Sequence, residues 1–133
     1  MLTIGDLTLR SVPVVEPSNA LDETIALLRA EPLRTVVLVG DEQFMGIFNE
    51  DALTSNLIPV GVNLSDLAVG PYVHPVRLTV NPATPVAFAL VQMKHRNTVV
   101  LPVVRNGTVY MGVLTRGDLE KAAEAEGRTT LVP

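Results

Sequence analysis

A chain of 133 residues with no Cys and no Trp has room for one compact module or two half-sized ones, and is too short for a multidomain enzyme. Hydrophobic residues make up 47% and charged residues 18%, which argues against disorder; ten Lys and Arg against fourteen Asp and Glu leave a net charge of −4, the wrong balance for a protein held on nucleic-acid phosphates. Without cysteine there is no disulfide framework and no thiolate metal site, and two isolated histidines, His74 and His95, leave little for a transition metal.

The segment Met1 to Arg10 carries Asp6 and lacks a basic start followed by an apolar stretch, so it does not read as a signal peptide. No apolar run approaches the roughly 20 residues of a membrane span, and a soluble, cytoplasmic protein is expected. Ile4-Gly-Asp-Leu7 reads as a short polar-capped turn ahead of a first strand. Pro17-Ser-Asn-Ala-Leu21 then opens a helix with Leu21, Ile25 and Leu28 at helical spacing and Asn19 as its N-cap. Thr35-Val-Val-Leu-Val39, the turn Gly40-Asp41-Glu42 and Phe44 to Phe48 predict a hairpin, followed by a short helix closing at Leu53. Asn56 to Val62, with Pro59 and Gly61 and no periodicity, is the natural linker, and its apolar character predicts halves that pack together.

The same succession then returns. Leu64-Ser-Asp-Leu67 matches the first polar turn, and Pro82-Ala-Thr-Pro-Val86 opens a helix with Val86, Leu90 and Met93 on one face, Thr84 as N-cap and Pro85 at the first helical position. Val99 to Val104, Arg105-Asn106-Gly107 and Thr108 to Leu114 predict the second hairpin, and Met45-Gly46-Ile47-Phe48 and Met111-Gly112-Val113-Leu114 end the two hairpins alike. An offset of 65 keeps helix and proline in register with one gap before Gly46. An offset of 63 instead matches Thr35-Val-Val-Leu38 with Thr98-Val-Val-Leu101, and the first alignment is preferred. Each half is near the size at which a core becomes marginal, which face-to-face packing of two small sheets would relieve.

Thr115 and Asp118 fall where a strand ends and a helix begins, a junction whose free N–H groups and positive dipole end suit a phosphate. Thr115-Arg-Gly-Asp118 is equally a capping box, and on local sequence alone the cap is the better reading. Lys94-His95-Arg96 reads as cations countering a helix C-terminus. The helix Arg116 to Glu126 carries Leu119, Ala122, Ala123 and Ala125 on a stripe that suits either dimer contact or packing against the chain's own linker. No Ser, His and Asp arrangement, no metal-ligand pair at helical spacing and no Gly-rich loop followed by Lys is present, so no catalytic constellation is read and the chain is not expected to be an enzyme.

Two such units in tandem, with Leu101-Pro-Val-Val104 followed by Gly112-Val-Leu-Thr-Arg-Gly-Asp-Leu119, resemble a pair of CBS domains, the Bateman module, over nearly the whole chain. The resemblance implies an α+β fold of two βαββα units, 1–58 and 59–133, packed with pseudo-twofold symmetry through their small sheets and dimerising through their helices. It implies an adenosyl ligand such as AMP, ADP, ATP or S-adenosylmethionine, and regulation of a partner protein or domain. Asp118 would take the ribose hydroxyls, Thr115 a phosphate, Gly117 would let the sugar approach, and Val113 would lie beside the adenine. Pro13, Leu33 and Arg34 would come from the first unit, with Arg34 toward the phosphates; Arg34 and Arg116 read equally as solvated charges.

The first unit departs from the pattern at Val37 for the strand proline, Asn49 for Thr and Ala52 for Asp. Its own cleft, with Asn49, Asp51, Val73, Leu78 and Val99, therefore lacks a ribose carboxylate in register, Asp51 standing one residue early. The tandem context turns the preference at Thr115 and Asp118 from cap to nucleotide site. The rival function is a ligand-free oligomerisation module.

Overall fold

A computed structural model describes residues 1–55, 58–73, 76 and 78–131. Asn56 and Leu57 of the expected linker, and His74, lie outside the described residues. The fold is α+β, as expected, and divides into two compact units: a continuous one, Val12–Val76, and a discontinuous one made of Met1–Ser11 with Arg77–Pro133. The first eleven residues thus sit with the second repeat, and 59–76 with the first, rather than dividing at 58.

The continuous unit contains β1 (Val14–Val15), α1 (Leu21–Ala30), β2 (Val36–Gly40), β3 (Gln43–Phe48) and α2 (Glu50–Ser55). The discontinuous unit contains α3 (Val86–His95), β4 (Val100–Arg105), β5 (Val109–Thr115) and α4 (Arg116–Leu131). The predicted helix faces are the buried ones: Leu21, Ile25 and Leu28 in one core, Val86, Leu90 and Met93 in the other. Both hairpins carry a register shift, after Leu38 and after Val103, opposite Gly46 and Gly112. The first turn has two residues, Asp41 and Glu42, both at positive φ, while the second has three, Asn106 to Thr108. That extra residue is the single gap in the repeat, and the offset of 65 holds up to it.

Two local expectations change. α1 begins after Ala20 and α3 after Pro85, and neither Asn19 nor Thr84 caps with its side chain. Backbone carbonyls from distant segments take that role: the Leu21 N–H donates to the Leu67 oxygen at 2.8 Å and the Val86 N–H to the Leu2 oxygen at 3.0 Å. The Asn19 side chain instead accepts the Glu16 N–H.

The same contacts correct the pairing of the lead-in turns. The Ile4 and Gly5 N–H groups donate to the Thr84 and Pro82 oxygens, and the Val69 and Gly70 N–H groups to the Asn19 and Pro17 oxygens. Ile4-Gly5 is therefore the counterpart of Val69-Gly70 at the offset of 65, and Leu64-Ser-Asp-Leu67 forms a separate turn. Ile4 and Val69 are both fully buried, each in the core of the helix its lead-in caps. Burying such a side chain is worth about 1.5–3 kcal/mol, which explains why each lead-in joins the unit it does.

The sheets differ for a reason visible at one position. Val37, the counterpart of Pro102, donates its N–H to the Pro13 oxygen at 2.9 Å, so β1 pairs in parallel with β2 in a three-stranded sheet. Pro102 has no N–H, and among the described residues the equivalent segment makes the bridge Val80↔Val103 beside the two-stranded β4-β5 sheet.

Candidate functional site

Four of the expected site residues, Val113, Thr115, Gly117 and Asp118, lie together where β5 runs into α4. Val113 is buried, and its N–H and carbonyl pair with the carbonyl and N–H of Arg10 at 3.0 and 2.8 Å. Gly112 makes this approach feasible: at φ +154° it lies so near the N-terminal segment that a Cβ would come within 2.9 Å of the Leu9 Cβ and 3.1 Å of the Arg10 oxygen.

Thr115 ends the strand and caps the helix. Its Oγ1 accepts the Asp118 N–H at 3.1 Å, and the Asp118 Oδ2 accepts the Thr115 N–H at 3.0 Å, so the capping box read from the sequence is formed. The carboxylate has a second partner that the sequence reading missed. Arg10 donates from Nε to Oδ2 at 2.7 Å and from Nη2 to Oδ1 at 2.8 Å, a two-pronged ion pair. The Asp118 side chain is 22% exposed and that of Arg10 50%. The Arg10 guanidinium, then the Thr115 hydrogen bonds, hold the Asp118 carboxyl down at about 2 against the opposing effect of burial. Nothing in the local sequence signals this pair, which spans 108 residues.

Asp118 is thus ionised at the N-terminus of a 16-residue helix, where the dipole also favours negative charge. Gly117 is exposed, and a Cβ there would meet only the Thr115 Oγ1 at 3.7 Å, so the helix start is open on that side. Arg116 is engaged by Glu120, Nε to Oε1 at 3.2 Å, a turn further along α4.

Pro13, Leu33 and Arg34 belong to the continuous unit. The Pro13 oxygen accepts the Val37 N–H, the Leu33 oxygen accepts the Thr35 hydroxyl, and Arg34 is exposed with a left-handed backbone, φ +51°. In that unit Asn49 replaces Thr115 as the cap, its Oδ1 accepting the Ala52 N–H at 2.9 Å, and the buried Ala52 supplies no carboxylate. Asp51 is exposed. An open depression of about 360 Å³ in the same unit is lined by Glu16, Pro17, Ser18, Gly40, Asp41 and Met45; its two carboxylates would repel a phosphate.

The stripe on α4 is taken up within its own unit. Leu119 is fully buried and Ala122 and Ala123 pack on the α3 core, while Ala125 is exposed. Large exposed apolar side chains lie on α3 instead, Phe88 at 57% and Val91 at 60%. No helix among the described residues is long and apolar enough to cross a membrane.

The family model of the CBS domain matches residues 65–125, the stretch that holds the second repeat. CBSX2, in a structure with AMP, aligns with a TM-score of 0.77 at 24% identity, covering 96% of this chain and 99% of its own. The putative acetoin utilization protein AcuB of Vibrio cholerae aligns at 0.77 with 20% identity over 100% of this chain and 99% of its own. A CBS domain pair/ACT domain protein of Thermotoga maritima aligns at 0.73 with 18% identity over 94% and 98%. No curated protein is significantly similar in sequence. Residues 65–125 thus match the CBS domain, and the fold of the chain is that of a CBS domain pair.

Proposed function

We propose that this chain is a non-catalytic regulatory module that binds an adenine nucleotide, of the AMP, ADP or ATP type, at the junction of β5 and α4. The observation that carries the reading is Asp118, a carboxylate held ionised beside the Thr115 cap at the start of α4. An ionised carboxylate accepts hydrogen bonds from a ribose diol, and the helix start favours an anionic phosphate. Gly117 leaves the approach open, and Val113 belongs to the strand leading into the site. The AMP complex of CBSX2, similar in fold at 24% identity, supports the ligand class. Arg34, and with it Pro13 and Leu33, are proposed from the family resemblance alone. Occupancy would be read out by self-association or by a regulated partner, through a difference in ligand affinity between two arrangements.

Isothermal titration of AMP, ADP, ATP and S-adenosylmethionine into the wild type and Asp118→Ala, with circular dichroism as the folding control, tests this. Binding lost in a folded variant is the expected result, and Arg34→Ala weakening only the phosphorylated ligands would add Arg34 to the site. Absence of binding by any of the four would overturn the reading. It would then favour the second one, a ligand-free interaction module, which the engagement of Asp118 by Arg10 and Thr115 supports.

A further inference from the structure

Asp118 is not idle. A carboxylate offers about four lone-pair directions, and three are filled: Oδ2 accepts from the Thr115 N–H and the Arg10 Nε, and Oδ1 from the Arg10 Nη2. One direction, on Oδ1, remains. A ribose diol donates two hydrogen bonds, so it cannot be seated on this carboxylate while both Arg10 contacts persist. The Thr115 contact is fixed by the cap and lies within the same short segment, whereas the Arg10 side chain is half exposed and can turn into water. Its backbone meanwhile stays paired with Val113.

We infer that Arg10 is an internal competitor for Asp118, a guanidinium that a nucleoside has to displace before its ribose can take the carboxylate. This rests on the proposed nucleotide site and specifies what governs its affinity. Arg10 lowers the apparent affinity by the strength of its ion pair, in the way a protein whose competent state is only partly populated binds more weakly than its intrinsic constant. The displaced guanidinium returns to solvent beside the N-terminal segment, so ligand occupancy is coupled to the side chain of Arg10.

The test uses adenosine, whose neutrality removes any direct attraction between ligand phosphate and Arg10, alongside AMP. Isothermal titration of wild type and Arg10→Ala, both checked by circular dichroism, is expected to give tighter adenosine binding in the variant by about two- to fivefold, the range an exposed ion pair supports. In the wild type, raising KCl from about 50 to about 500 mM screens the pair and should itself tighten adenosine binding, a readout that needs no variant. Equal or weaker adenosine binding by a folded Arg10→Ala, or a wild-type affinity unmoved by salt, would overturn the competitor while leaving the nucleotide site standing. Failure of both proteins to bind either adenosine or AMP would remove the nucleotide site and the competitor with it.

Discussion

Replacing Asp118 by Asn removes the charge while keeping the size of the side chain and an oxygen able to accept the Thr115 N–H. The carboxyl is held at about 2 in the folded protein against an ordinary 3.8, chiefly by Arg10. A tenfold change in proton affinity is worth about 1.4 kcal/mol, which sets an upper limit of about 2.5 kcal/mol on what the folded state gains from ionising this group; solvent screening of the pair reduces that to about 1 kcal/mol. Because the folded value lies below the unfolded one, this stabilisation is fully present above the unfolded value near 4 and is lost as the pH falls through about 2. Asp118→Asn should therefore be less stable than wild type by about 1 kcal/mol at neutral pH, with the gap closing as the pH approaches 2.

The two tyrosines make the assay local. Tyr72 lies in the continuous unit and Tyr110 in the discontinuous one, so in a Tyr72→Phe background the tyrosine fluorescence during urea unfolding reports on the unit that holds Asp118. Two outcomes would refute the reasoning. Equal stability at neutral pH would mean that the ion pair contributes nothing to folding. A gap that persists undiminished to the acid limit would mean that Asn disturbs the junction by something other than its missing charge.

Thr115→Ala removes the oxygen that accepts the Asp118 N–H and should cost about 1 kcal/mol, with Thr115→Ser recovering most of it in the same unfolding assay. Gly112→Ala forces a Cβ against Leu9 and the Arg10 oxygen at a backbone angle that disfavours side chains; a loss of about 1–3 kcal/mol is expected, with faster amide exchange at Arg10 and Val113. Ile4→Ala empties a fully buried position between the lead-in and α3 and should cost about 2–5 kcal/mol, destabilising the unit reported by Tyr110 and not that reported by Tyr72.

What the sequence made legible was whatever is encoded within one element. Leu21, Ile25 and Leu28, and their counterparts Val86, Leu90 and Met93, mark helix faces through spacing alone, and both faces are buried. The hairpins announce themselves through β-branched runs around turn residues, and the reciprocal cap of Thr115 and Asp118 follows from a four-residue pattern. What was hidden is what one segment does for another. The true match of Ile4-Gly5 is Val69-Gly70, but the shared Asp-Leu of Leu64 to Leu67 drew the comparison to the wrong turn. Asn19 and Thr84 have the chemistry of caps, yet each stands one residue ahead of the N-cap, and a remote carbonyl takes the first N–H of its helix. Arg10 reaches Asp118 only because the N-terminal segment is paired with β5, a fact of register that no local window contains.

The two repeats differ at three equivalent positions, and the differences are structurally consistent. Val37 has the N–H that Pro102 lacks, and its sheet has a third, parallel strand. Asn49 keeps the cap that Thr115 makes, so the start of α2 needs no carboxylate to be stable. Ala52, fully buried at the position of Asp118, then adds to the core instead of offering a polar group. In the continuous unit this junction position thus serves packing. In the discontinuous unit the same junction carries an ionised group, which completes the capping box by accepting the Thr115 N–H while Thr115 Oγ1 accepts the Asp118 N–H. That carboxylate stays charged against a desolvation cost, and through its Arg10 pair, worth about 1 kcal/mol, it ties the N-terminal segment to the start of α4. A carboxylate stands at only one of the two equivalent positions, which is the physical reason the nucleotide site is proposed for the second repeat and not the first.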